Sequence, residues 1–169
     1  RKELISPKNF SNYKFTKEKK NYKQLFKKED ILNINKNLFN YQIPKKTPKY
    51  ILNRYFNHPY YKYYIYEVNK NLESKAIYVF RVCKFKKSSA VRIVDYIGSN
   101  KDFSGGRHLF NHLLDRFSSD FIDIYFHGIP DKYLIGSGLE NVEKYKFKKL
   151  IIPNYFEPFI RENIIINFA

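Results

Sequence analysis

Between Val91 and Gly128 the chain passes through three apolar patterns in succession. VRIVDYIG (91–98) is β-branched and apolar almost throughout, the signature of a buried strand. Next, Leu109, Phe110, Leu113, Leu114 and Phe117 recur at helical spacing and form one apolar face. FIDIYFHG (121–128) then reads as a second strand. Two strands joined by a helix are most simply parallel, with a right-handed crossover. Such a unit aims the helix start at whatever lies beyond the end of the first strand. Ser104, Gly105 and Gly106 fall there, with Lys101 and Arg107 close by. Free N–H groups, the helix dipole and two cations together suit an anion such as a phosphate. Equally, Gly105 and Gly106 can serve only to make the turn. Neither nucleotide-binding glycine fingerprint is present.

The flanking patterns complete the element order. QLFKKEDILNINKNLF (24–39) predicts a helix, and Thr47–Pro48 predicts the cap and first turn of another through Phe56. YYKYYIYEV, AIYVFRVCKF and VRIVDYIG, separated by short polar turns, predict an antiparallel meander. A short helix is expected over 131–143, and late strands within 148–159 and 163–169. Residues 1–24, basic with scattered aromatics, form an opening strand near NYKFT or an extended arm. The whole predicts one α/β (α+β) domain over 1–169, with helices on both faces of a mixed central sheet.

Composition narrows the picture. An apolar content of 43% with 16 Tyr and 16 Phe argues for a packed core rather than disorder. No apolar run is long enough to span a bilayer. The lone Cys83 excludes an internal disulfide, and a reducing cytoplasm is the expected compartment. No methionine is present, so either the chain is a fragment or methionines are missing from it. Net charge is +16, of which +11 lies in residues 1–60 and +5 in the remainder. Abundant Lys, Asn, Ile, Tyr and Phe is what AT-rich coding produces, and that explains the excess better than a nucleic-acid partner does. A positive field attracting acidic substrates remains a further reading.

The strand, glycine turn, helix and strand at 91–128 resemble the coenzyme A-binding core of the GNAT acyltransferase superfamily. Its turn typically reads Gln/Arg-x-x-Gly-x-Gly/Ala before a leucine-rich helix. This chain offers Lys101-Asp102-Phe103-Ser104-Gly105-Gly106, then Leu109 and Phe110; Gly106 matches, Lys101 conserves charge, and Ser104 replaces the first glycine. HPYYKYYIYEV, VRIVDYIG and IIPNYFEPF further resemble a bacterial subgroup associated with surface-polysaccharide genes. The resemblance implies a GNAT-like domain, acetyl-CoA as co-substrate without a metal, and a small-molecule amine acceptor, a nucleotide-linked amino sugar among the candidates. It implies that coenzyme A lies against Tyr96, Ile97, Gly98, Lys101, Ser104, Gly105, Gly106 and Arg107.

The chemistry needs a base for the amine and an acid for the departing thiolate. Asp95, an acid inside an apolar strand, is either that base, a residue paired with Arg92 or Tyr96, or a capping group. Tyr133, one place from the position the family pattern gives the acid, is either the acid or a packing residue. His127, at the end of the second core strand, is a further candidate for the base or for acceptor binding. His108 and His112 share a helix face but lack a third metal ligand. Two functions are open: a coenzyme A-dependent N-acyltransferase, or a non-catalytic basic module on the same fold that recognises an anionic polymer or a protein.

Overall fold

The computed structural model describes residues 21–71, 73–85, 88–126 and 128–139. A five-stranded sheet runs in sequence order: β1 (Tyr22–Gln24), β2 (Tyr63–Lys70), β3 (Glu73–Phe85), β4 (Ser88–Gly98) and β5 (Phe121–Ile124). The first four are antiparallel neighbours, and β5 joins β4 in parallel. The predicted meander and parallel pair are both present. The crossover carries a 3-10 helix (Asn100–Gly106) that runs straight into an α-helix (Arg107–Phe117).

The two faces of the sheet bury different side chains, because successive residues of a strand point opposite ways. On one face Tyr66, Tyr78, Phe80, Val91, Ile93 and Tyr96 pack against Phe103, Leu109, Phe110 and Leu113 of the crossover. The apolar helical stripe read from the sequence is this contact. On the other face Ile65, Ile77, Val79 and Ile97 lie under Leu25, Ile31, Leu38, Ile51, Leu52 and Tyr55 of the N-terminal layer. Strand β3 is fully enclosed from Ala76 to Phe80. Burying a large apolar side chain contributes about 1.5–3 kcal/mol, so this strand anchors both layers.

The N-terminal layer differs from the expected single helix over 24–39. Gln24 belongs to β1, and the helix is cut to α1 (Lys28–Leu32) and a 3-10 turn (Lys36–Tyr41). The Asp30 carboxylate accepts from the N–H groups of Phe26 and Lys27, each at 3.2 Å, and fixes where the helix can begin. Asn35 Oδ1 accepts from Asn37 N at 3.0 Å and restarts the chain as a new turn. Both side chains favour caps over helix interiors. The next helix, α2 (Pro48–Ile51), starts as expected, with Thr47 Oγ1 accepting from Tyr50 N at 3.1 Å, and widens into a π-type turn over Leu52–Phe56. The crossover α-helix Arg107–Phe117 is α3, and Asp131–Gly136 is α4. Most of the expected 1–24 arm, with the strand near NYKFT, lies outside the described residues, as do the late strands and 140–143 of the short helix. No described helix is long and apolar enough to cross a membrane.

One irregularity organises the sheet. Val79 pairs with Asp95 and Phe80 with Ile93, which leaves Val94 as an extra residue in β4. A bulge of this kind bends its strand and increases the twist. Beside it, pairing with β5 ends at Ile93↔Ile124, whereas β4 continues to Gly98. The sequence predicted a second core strand through Gly128; β5 stops at Ile124 because its neighbour turns away.

Strand β4 closes on Gly98, whose φ of +151° L side chains rarely adopt and whose added Cβ would lie 2.9 Å from the Lys75 carbonyl oxygen and 2.8 Å from Tyr96 Oη. Gly98→Ala is therefore expected to cost about 1–3 kcal/mol through strain and overpacking, read as a lower midpoint in urea with an unchanged slope. A midpoint equal to that of the unaltered protein would show that the strand end relaxes freely.

Candidate active site

Past the bulge the alternation resumes with Tyr96 on the crossover face and Asp95 on the face of the N-terminal layer. Asp95 is enclosed, its side chain 8% exposed. Lys46 Nζ donates to Oδ1, Tyr96 N donates to Oδ1 at 2.8 Å, and Tyr55 Oη donates to Oδ2 at 2.8 Å. Tyr50 Oη lies 3.5 Å from Tyr55 Oη, so a hydroxyl chain runs from the carboxylate towards the exposed Tyr50. Burial first, then the neighbouring Asp95 charge, raises the Tyr55 phenol far above its ordinary value near 10. Tyr55 is thus a neutral donor throughout the physiological range.

Neither partner considered from sequence holds the Asp95 side chain through its own side chain. Arg92 instead grips Asp123 of β5 in a two-pronged pair, Nε–Oδ1 at 2.9 Å and Nη2–Oδ2 at 2.6 Å. From Tyr96 only the backbone N–H serves. Lys46, Tyr50 and Tyr55 escaped sequence reasoning because Lys46 and Tyr55 stand 49 and 40 residues before Asp95, with no shared motif. The one available signal was general: a carboxylate inside an apolar strand must find compensating donors.

The proposed coenzyme A residues are distributed between edge and core. Tyr96 donates from Oη to Ser99 O at 2.6 Å and packs on Tyr78 and Phe103, while Ile97 is buried under the N-terminal layer. Burial, helped by the Asp102 charge, raises the Tyr96 phenol well above its usual range. Tyr96, Ile97 and Gly98 have no β5 partner, yet all three are buried, and Gly98 O accepts from Gln42 Nε2 at 3.4 Å. The turn also differs from expectation. Helical structure begins at Asn100, so Ser104, Gly105 and Gly106 fall within a helical run rather than at its open end. Gly106 is tightly packed: a Cβ there would lie 2.7 Å from Phe110 Cζ and 2.8 Å from Tyr78 Oη. Glycine stands at 106 for core packing. Gly105 and Ser104 are half-buried, Lys101 is exposed, and Ser104 Oγ donates to Lys101 O at 3.2 Å.

Helix α4 lies across this turn: a Cβ on Gly136 would be 3.0 Å from Ser104 Cβ. Tyr133 of α4 is half-buried against the crossover-face core, with Lys132 Nζ 4.9 Å from its ring centre. It therefore sits on the opposite face of the sheet from Asp95, with the β4–β5 opening between them. Asn100 Nδ2 donates to Gly128 O at 3.0 Å and ties the turn to the chain leaving β5. His127 lies outside the described residues. His112 stacks on Tyr22 with ring centres 5.1 Å apart, and among the described residues no trio of His, Cys, Asp or Glu could hold a metal.

The chain is similar in fold to the Thermus thermophilus protein TTHA1254, at 10% identity and a TM-score of 0.50 over 80% of this chain and 96% of that one. A GNAT family acetyltransferase of Staphylococcus aureus superposes with a TM-score of 0.46 at 16% identity, over 63% of this chain and 86% of that one. No family model and no curated protein matches the chain. The mixed α/β fold, with its parallel β4–β5 pair flanked by helices, is the architecture the GNAT resemblance led one to expect.

Two outcomes test this geometry. Asp95→Asn leaves Lys46, 18% exposed, facing no anion, and is expected to cost about 3–5 kcal/mol. The double variant Asp95→Asn/Lys46→Met should recover most of that loss in urea melts; an equal loss in both would refute the pairing. Alkali is the second. Tyr55, Tyr78 and Tyr96 all have folded-state values raised by burial, so each contributes stability that is complete below the ordinary value near 10 and is lost as pH climbs beyond it. The melting temperature should accordingly fall steeply above about pH 10, and less steeply in Tyr55→Phe.

Proposed function

We propose that the chain is a coenzyme A-dependent N-acyltransferase that moves an acetyl group from acetyl-CoA to a primary amine. The observation that carries this reading is the parting of β4 and β5 at Ile93↔Ile124, immediately beside a bulge that presents Asp95. In this reading the stretch of β4 without a β5 partner, Val94 to Gly98, lies along the amide-bearing arm of coenzyme A, with Tyr96 N–H already given to Asp95 and Gly98 O to Gln42. The turn beyond it, with Lys101, Ser104, Gly105 and Arg107, receives the pyrophosphate in this reading. Gly106 contributes shape, since a side chain there would collide with Phe110 and Tyr78 Oη.

In the reaction the neutral amine attacks the thioester carbonyl carbon, and the carbon–sulfur bond breaks. The amine proton passes to Tyr55 Oη while the Tyr55 proton moves to Asp95 Oδ2, which it already faces at 2.8 Å. Tyr133, from the opposite face, gives its proton to the departing sulfur. His127 is the remaining candidate for the acceptor side. An amino sugar carried on a nucleotide is one acceptor consistent with the basic surface. The non-catalytic binding module is the second reading, and the replacement of the first motif glycine by Ser104 is what favours it.

A thermal shift with acetyl-CoA and a turnover assay on primary amines test the proposal. Acetyl-CoA at about 100 times its Kd should stabilise the native protein by about 2.7 kcal/mol. Tyr55→Phe preserves the Asp95–Lys46 pair, so turnover should fall by about 10²–10⁴-fold while acetyl-CoA binding persists. Tyr133→Phe should act similarly. A protein that acetyl-CoA leaves unshifted is the binding module, not the enzyme.

A further inference from the structure

At the end of the sheet remote from Gly98, the segment His58–Tyr64 separates two adjoining hollows. One, of about 560 Å³, runs past Tyr55, Phe56, Tyr63 and Arg116; the other, of about 310 Å³, runs past Arg81, Lys84 and Phe117. Tyr60, Tyr61, Lys62 and Tyr64 line both and form the ridge between them. Four cations border it, namely Lys62, Arg81, Lys84 and Arg116, and no carboxylate is among its described lining residues. Aromatic rings alternate with these charges. The Arg81 guanidinium lies 3.6 Å from the Tyr61 ring centre, Lys62 Nζ is 5.5 Å from that of Tyr64, and the Tyr60 ring is 87% exposed.

We infer that this surface binds a single-stranded nucleic acid. Rings that stack on bases, set among cations that follow a phosphate backbone, are the two elements such surfaces combine. The chemistry separates this ligand from its rivals. A neutral sugar would leave the four cations without a counter-charge, and an acidic peptide would satisfy them without needing rings to stack on. The inference goes beyond acyl transfer and is read by binding alone. It also has a consequence for the neighbouring site: Tyr55 forms part of the first hollow and bonds Asp95, so one end of a bound strand lies beside the proposed acyl centre.

The test is fluorescence anisotropy with a labelled oligo(U) of about eight nucleotides, titrated with the full chain over a range of salt. Tyr60→Ala should weaken binding on the order of tenfold, and Tyr60→Phe should retain it, because stacking needs only the ring. Lys62→Ala/Lys84→Ala should lower the slope of log affinity against log salt by about 1.4, the loss of two phosphate contacts to a single strand. Lys70→Ala, an exposed cation at the far end of β2, should change affinity by less than about twofold. The inference is overturned if Tyr60→Ala binds as the unaltered protein does. It is overturned too if Lys70→Ala loses as much as Lys62→Ala, or if polyglutamate or heparin at equal charge competes as well as unlabelled oligo(U), since binding is then a matter of net charge.

Discussion

A carboxylate placed inside the sheet has to be satisfied from somewhere, and the way Asp95 is satisfied fixes much of the molecule. Its donors come from two parts of the chain: Lys46 and Tyr55 from the N-terminal layer, and the N–H of Tyr96 from its own strand. Removing either charge alone would strand the other where water barely reaches, so α2 and the turn after it are held over β4 at one register. Apolar packing by Ile51, Leu52 and Tyr55 supplies adhesion without direction. The ion pair supplies the direction.

The bulge at Val94 acts in the same place for a different reason. It puts Asp95 on the N-terminal side while Tyr96 returns to the crossover side, and it bends β4 away from β5. One extra residue thus positions a polar side chain and frees a strand edge next to it. Arg92 and Asp123 bind the two strands firmly just before they part, so the opening begins at a fixed point. Because the opening is defined by a strand edge, the groups it offers are backbone groups.

Tyrosine takes a structural role on the crossover side. Tyr78 donates to Phe103 O at 2.6 Å and packs against Phe80, Tyr96, Phe103 and Phe110. One side chain joins β3 to the turn and satisfies a backbone carbonyl that a phenylalanine would leave unpaired. The degenerate glycine motif has its explanation here. Gly106 answers to Tyr78 and Phe110, whereas position 104 faces α4 and tolerates a serine hydroxyl. At 106 the glycine also meets a packing requirement, since a Cβ there would collide with Phe110 and Tyr78 Oη.

The chain's own pattern determined the meander, the parallel pair, the apolar stripe of α3 and the Thr47–Pro48 helix start, because each rests on periodicity or capping within a few neighbouring residues. It also marked Asp95, since a lone acid in an apolar strand stands out without any partner in view. Where α1 began was decided by Asp30 reaching back to two amides and by Asn35 restarting the chain, both local but weaker than the apolar periodicity that masked them. Tertiary structure alone decided the rest. The bulge depends on how β3 and β4 align, the end of β5 depends on that bulge, and the partners of Asp95 come from 40 and 49 residues away. The aromatic and cationic surface around Tyr60 likewise gathers Arg81, Lys84 and Arg116 from elements that sequence order keeps apart. Periodicity reports which way a side chain points, and only the folded chain supplies what it meets there.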